Sequence, residues 1–194
     1  RDVAPSRGLG DVYKRQPEFR LPNKIVDVEI ANLEKIGVTF VKDCIVGKTI
    51  TVEELEAQGF KGIFVASGAG LPNFMNIPGE NSNGVMSSNE YLTRINLMNA
   101  SCPDCATPIR KARSVMVVGG GNTAMDSCRT AKRLGADVTV VYRRTFDEMP
   151  AGRDEIEQEQ EEGVNFMNLH NPQRYIVGDD GKVKGAVLDV MKLG

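Results

Sequence analysis

The sequence has no tryptophan, one histidine and four cysteines, and no apolar run approaches the ~20 residues needed to cross a bilayer. Each scarcity excludes something. Aromatic residues make up 6% of the chain, too few for the stacking platforms that hold sugars or single-stranded nucleic acid. Lys and Arg number 24 against 26 Asp and Glu, a net charge of −2, so there is no basic field to bind nucleic acid. Four cysteines in 194 residues make no disulfide framework, and a reducing, cytoplasmic setting is expected. The one histidine, His170, lies in Asn168-Leu169-His170-Asn171-Pro172 and reads as a loop residue. No Ser/His/Asp or Cys/His constellation can be assembled around it, and no catalytic acid, base or nucleophile is assigned. One C-x-x-C pair, Cys102 and Cys105, cannot complete a tetrahedral zinc site, so no metal site is assigned either.

Glycine, by contrast, is abundant, with 20 residues. The chain starts with Arg1 rather than Met, and residues 1–16 mix charge, Gly and Pro without a period of 2 or 3.6. They are expected to be a non-native read-through peptide or a disordered arm. From Pro17 order sets in. Apolar residues at Ile25, Val26, Val28, Ile30, Leu33 and Ile36 predict a helix over Asn23–Ile36, capped by Asn23 and stopped by Gly37. Val38–Val41 predicts a strand, Glu53–Gln58 a short helix, and Gly62–Ala66 a strand buried on both faces. Ser88–Asn99 predicts another helix. Asn99–Arg113, polar and basic, marks a boundary, with domains expected at 17–106 and 107–194. Beyond it come a strand Ser114–Val118, a helix Asn122–Leu134, a strand Asp137–Tyr142 and an acidic helix Asp154–Glu162. Two further strands are expected at Val164–Leu169 and Lys184–Val190. The order β, glycine turn, α, β fits an α/β fold with a parallel sheet.

The strongest motif is Gly119-Gly120-Gly121-Asn122-Thr123-Ala124, a G-x-G-x-x-A between strand and helix. Gly119 allows the tight turn, Gly121 lets the backbone approach a pyrophosphate, and Ala124 lets helix pack on strand. The helix start, with Asn122 and Thr123, offers free N–H groups and a positive dipole end to phosphates. An acid for an NAD ribose belongs roughly 20 residues beyond such a motif. Arg143 and Arg144 stand in that region instead. Guanidinium groups match a 2′-phosphate with charge-assisted hydrogen bonds, so NADPH is expected over NADH. Arg153 is a further candidate for the 2′-phosphate.

Six segments, in order, resemble one family: Pro17–Pro22, Ala66–Pro72, Ile77-Pro78-Gly79-Glu80, Tyr91–Asn96, Gly119–Asp126 and Val141–Arg144. They look like the small subunit of NADPH-dependent glutamate synthase. Related proteins are the large subunit of the NADH-dependent ferredoxin:NADP reductase and the reductase region of dihydropyrimidine dehydrogenase. The resemblance covers Pro17–Gly194. It implies a two-dinucleotide-binding flavoprotein, with a Rossmann-like NADP-binding domain inserted in an FAD-binding domain. It also implies hydride passing from NADPH to FAD, then electrons leaving through 4Fe-4S clusters in other regions or in a partner. That partner would be the glutamate synthase large subunit or another electron-accepting subunit, in an enzyme acting on CH–NH2 donors. Ala66, Ser67 and Gly68 match the segment that lies against FAD. The family's cysteine-rich N-terminal region, first glycine-rich motif and C-terminal return are missing here. The chain is therefore expected to be a fragment that binds NADPH weakly and is inactive alone.

Two rivals remain. Thioredoxin reductases of low molecular weight also carry C-x-x-C shortly before such a glycine motif, so Cys102 and Cys105 allow a disulfide reductase. However, Ala106-Thr107-Pro108 stands where Asp-Gly is usual. The other rival is a non-enzymatic nucleotide-binding module that docks through the acidic helix. The plainer reading of that helix is a solvated face.

Overall fold

The computed structural model describes residues 3–5, 16–66, 71–102 and 104–193. The chain divides into two compact units, Arg1–Leu71 and Pro72–Gly194. That division falls earlier than the expected cofactor-domain boundary at 106/107.

The first unit holds β1 (Val3–Pro5), α1 (Asn23–Lys35), β2 (Thr39–Val41) and α2 (Val52–Ala57). β1 and β2 pair in parallel, Val3 opposite Thr39. So a strand forms at Val3–Pro5, where no periodic signal marks the residues; the rest of 1–15 lies outside the described residues. α1 starts at Asn23, but Asn23 is not its cap. Pro22 holds that position, and the Glu18 carboxylate accepts from the Asn23 amide at 3.0 Å. α2 opens with a full capping box: the Glu54 amide donates to Thr51 Oγ1 at 3.1 Å, and the Thr51 amide to Glu54 Oε2 at 2.8 Å. The predicted strand Gly62–Ala66 does not form. The segment is irregular and exposed, with Phe64 89% accessible. A strand of this kind needs neighbours on both edges, and among the described residues none pairs with it.

The second unit contains the core. α3 (Ser88–Leu92) is capped by Ser87 and runs into a π-helical turn, Thr93–Leu97, instead of continuing as α-helix to Asn99. Next along the chain are β3 (Ser114–Val118), α4 (Asn122–Arg133), β4 (Asp137–Tyr142), α5 (Arg153–Glu161) and β5 (Asn165–Asn168), with a 3-10 turn at Phe146–Glu148. β3, β4 and β5 make a parallel sheet in that order, so the α/β expectation holds. Met125, Cys128, Ala131, Val138, Val140, Ile156 and Val164 form the buried centre. Burying each aliphatic side chain contributes about 1.5–3 kcal/mol before entropy is counted.

β6 (His170–Val177) and β7 (Val183–Val190) form an antiparallel pair. β6 was not expected. Its start is His-Asn-Pro, and Pro172 gives no ladder N–H. The pairing register shifts between Pro172 and Arg174, an irregularity of the kind that admits proline. The Ile77–Glu80 turn packs on β6. Gly79 has φ +85°, and a Cβ there would sit 2.8 Å from the Tyr175 carbonyl oxygen, so only glycine fits. Glu80 closes the same loop by accepting from the Met75 and Asn76 amides at 2.8 and 2.7 Å.

Candidate functional site at the carboxyl edge of the parallel sheet

Parallel strands in register bring their carboxyl ends to one edge. Val118 of β3 lies opposite Val141, and Tyr142 of β4 opposite Asn168 of β5. Gly119 and Arg143, just past β3 and β4, and His170, two residues past β5, therefore converge there. These three help line a cavity of about 380 Å³, together with Tyr142, Asn171 and Pro172. Open α/β sheets bind ligands at this edge.

The glycine turn is built as three different positions. Gly119 takes φ +130°, a conformation that L side chains rarely adopt. Its amide donates to the Val141 carbonyl at 3.0 Å, which ties the turn to β4. Gly120 is a packing glycine that sequence reasoning passed over. A Cβ there would lie 2.9 Å from the Tyr142 ring and 3.0 Å from Met149. Gly121 caps α4 with no side-chain hydrogen bond, and a Cβ on it would meet nothing within 4 Å. So Gly121 is not required by the protein's own packing, and its outer face is room for a ligand. The Ala124 and Met125 amides both reach the Gly121 carbonyl, at 2.9 and 3.1 Å. The amides of Asn122 and Thr123, in the first turn of the helix, have no intrahelical acceptor. Both residues are exposed, and Ala124 is buried in the core. A dinucleotide pyrophosphate fits this arrangement: a Cβ-free approach, unspent donors and the positive end of a 12-residue helix.

Arg143 and Arg144 are both exposed just past β4. Arg143 is part of the cavity wall. The Arg144 carbonyl accepts from the Leu169 amide at 3.1 Å, and the Leu169 carbonyl accepts from Met191 at 2.7 Å. Leu169 sits at φ +58°, a kink that turns the chain from β5 into β6. The Thr145–Glu148 capping box and the Tyr142 hydroxyl, donating to the Glu148 carbonyl at 2.7 Å, hold the loop after the arginines. Hydrogen bonds from Thr145 hold the Glu148 carboxyl below the usual range. Arg153 stands apart, at the start of α5, in an exposed ion pair with Asp147 at 2.7 Å.

His170 is the residue that sequence reasoning missed. It is a strand residue, and its Nδ1 lies 2.7 Å from the Asn168 carbonyl oxygen. A carbonyl only accepts, so Nδ1 carries the proton in that bond. The signal available was positional: the stretch that follows the third parallel strand belongs at the same edge as those that follow the first two.

In the first unit, Ala66 is exposed in irregular backbone. Ser67 and Gly68 lie outside the described residues. Among the described residues no group of three His, Cys, Asp or Glu stands placed to hold a metal. No helix there is long and apolar enough to cross a membrane.

Comparison with known proteins gives the same architecture. The chain is 35% identical over 180 residues to a protein provisionally named glutamate synthase (NADPH) small chain of Cereibacter sphaeroides, covering 92% of this chain and 43% of that one. It is 35% identical over 181 residues to the NADP(+)-dependent formate dehydrogenase subunit beta of Moorella thermoacetica, covering 92% and 24%. It is 36% identical over 160 residues to the NAD-dependent dihydropyrimidine dehydrogenase subunit PreT of Escherichia coli K12, covering 80% and 36%. The chain thus spans less than half the length of each of these relatives. Among solved structures, 2-naphthoyl-CoA reductase superposes over 95% of this chain and 27% of its own, with a TM-score of 0.65 at 14% identity, which speaks for the fold alone. The pattern of the pyridine nucleotide-disulphide oxidoreductases, FAD- and NAD(P)-binding enzymes, matches residues 2–192, and the chain belongs to that family.

Proposed function

We propose that this chain is the dinucleotide-handling part of an NADPH:flavin oxidoreductase subunit of the glutamate synthase small-chain kind. The supporting observation is the convergence of the bare start of α4 and Arg143 at one sheet edge. In this reading the Asn122 and Thr123 amides hold the pyrophosphate, and Gly119 and Gly121 keep the approach open. Arg143 and Arg144 bind the 2′-phosphate, and Arg153 joins them if its pair with Asp147 opens. Residues 107–194 form the NADP-binding domain, and 17–106 part of an FAD-binding domain, with Ala66, Ser67 and Gly68 against the flavin. Bound FAD would supply hydride acceptance and one-electron release, to 4Fe-4S clusters in other regions or in a partner subunit such as the glutamate synthase large chain. The chain's own residues bind and orient, which is why no acid, base or nucleophile is needed.

Relatives carry both NADP and NAD in their names. Family membership therefore leaves the nucleotide to the residues, and in this reading Arg143 and Arg144 favour NADPH. In titrations of the whole chain, Arg143→Ala/Arg144→Ala should raise the NADPH dissociation constant about tenfold or more, the loss of about 1.4 kcal/mol or more of charge-assisted bonding. The NADH constant should move less than about twofold. Equal weakening of both would remove the 2′-phosphate assignment. Failure of the parent chain to bind either nucleotide would remove the site.

A further inference from the structure

Arg143 and Arg144 stand in a loop that is held from both sides. On one side the Arg144 carbonyl accepts from the Leu169 amide at 3.1 Å. On the other, the Thr145 amide and the Thr145 hydroxyl both donate to Glu148 Oε2, the amide at 2.9 Å. The Glu148 amide returns to the Thr145 carbonyl at 3.3 Å and closes the turn. Separate bonds tie the same loop to the glycine turn. The Ala151 amide donates to the Gly120 carbonyl at 3.0 Å, and the Tyr142 hydroxyl to the Glu148 carbonyl at 2.7 Å. These two bonds use backbone oxygens and do not involve the Glu148 carboxylate. That carboxylate is directed at Thr145, the residue next to Arg144.

We propose, on the reading of Arg143 and Arg144 as the 2′-phosphate site, that Glu148 is a positioning residue that sets the preference for a 2′-phosphate by fixing Thr145. Ordering a loop at the moment of binding lowers affinity, so a loop held in advance binds more tightly. A guanidinium meets a phosphate through a planar fork of donors, which rewards a fixed stem. NADPH engages the glycine turn and the arginine loop together. NADH lacks the 2′-phosphate and engages the glycine turn, whose anchors do not need the Glu148 side chain. Glu148 therefore bears on one nucleotide and not on the other.

Charge alone predicts the opposite sign. Hydrogen bonds from Thr145 hold the Glu148 carboxyl low, and the nearby Arg144 charge adds to this, so the group is ionised at neutral pH. A carboxylate beside Arg144 repels a phosphate, and removing its charge would by itself tighten NADPH. Two substitutions separate the effects. Glutamine drops the charge and keeps a carbonyl oxygen that accepts from Thr145, whereas alanine drops both. Glu148 is exposed, so neither change disturbs the core.

The test titrates the full chain with NADPH and with NADH, as wild type, Glu148→Gln and Glu148→Ala. Glu148→Ala should raise the NADPH dissociation constant about fivefold, the size of effect that losing a capping interaction brings, and move the NADH constant less than about twofold. Glu148→Gln should bind NADPH as tightly as wild type or more tightly. Circular dichroism checks that each variant folds. An alanine variant that binds NADPH as well as wild type, or better, would reduce Glu148 to a surface charge and overturn the proposal. So would a glutamine variant as weak as the alanine one, or equal loss of both nucleotides in Glu148→Ala. A wild-type chain with no preference for NADPH over NADH would instead overturn the reading of the arginines, and the role of Glu148 with it.

Discussion

Three adjacent glycines make the same contribution to composition and three different contributions to the molecule. Gly120→Ala would push a methyl into the Tyr142 ring and Met149, at 2.9 and 3.0 Å, so it should destabilise by about 1–3 kcal/mol as an overpacked site does. Gly121 has φ −94° and an empty surround, so Gly121→Ala should leave stability within about 0.5 kcal/mol. It should nevertheless weaken NADPH binding, since its methyl would occupy the space given to the pyrophosphate. Chemical denaturation beside nucleotide titration checks both. Loss of stability in Gly121→Ala, or unchanged NADPH binding in it, would contradict the division of labour. The motif made the tight turn at Gly119 and the buried Ala124 legible in the sequence, because each meets a requirement shared by any strand–turn–helix of this kind. Gly120 was not legible, because its neighbours, Tyr142 and Met149, are distant along the chain. His170 was hidden for a related reason: its place depends on strand register.

The acidic helix α5 is the element whose reading changed most. As a sequence it is a charged run with a solvated face or a docking surface. In the fold, Ile156 and Glu159 are buried, and Glu162, at the cap, turns toward α4. Glu162 accepts from Arg129 at 2.6 Å and from Arg133 at 2.8 Å. Hydrogen bonding from Arg133, then from Arg129, holds its carboxyl down at about 2. An unfolded glutamate titrates near ~4.3. The folded value is depressed, so the stabilisation is present above the unfolded value and is lost as pH falls toward the folded one. Between about pH 5 and 2 the chain should lose roughly 1–2 kcal/mol through this group, after discounting for its partly exposed position. Glu162→Gln should remove that part of the pH dependence and lower stability at pH 7 by a similar amount. Denaturation midpoints across that range for both proteins check it, and parallel profiles would show the cluster to be inert. Periodicity gave α1, α4 and α5 to within a residue or two. It could not give β6, whose proline hides it, nor deny a strand to Gly62–Ala66, whose apolar run has the propensity but no partner.

At the scale of the whole molecule, the two units differ in how much they bury. The central core runs through Val117, Val138, Val140 and Val164, all in the second unit. α1 buries no residue, and its apolar stripe shows through, with Ile25 51% and Val28 58% accessible. The spacing that announced this helix says that one face is apolar, not what lies against it. Burial sets the free energy of local opening, so amide exchange should report the difference. Backbone amides of β4 and α4 should exchange slowest, and those of α1 and α2 orders of magnitude faster. Saturating NADPH adds stability only to what binds it, about 2.7 kcal/mol at a hundred times the dissociation constant. The added protection should centre on Gly119–Ala124 and the strand ends at Val118 and Tyr142, and leave α1 unchanged. Hydrogen exchange followed by mass spectrometry resolves these segments. Protection of α1 equal to that of β4 would show a core in the first unit that its exposed side chains do not provide. Protection by NADPH spread evenly over both units would move the nucleotide away from the carboxyl edge of the sheet.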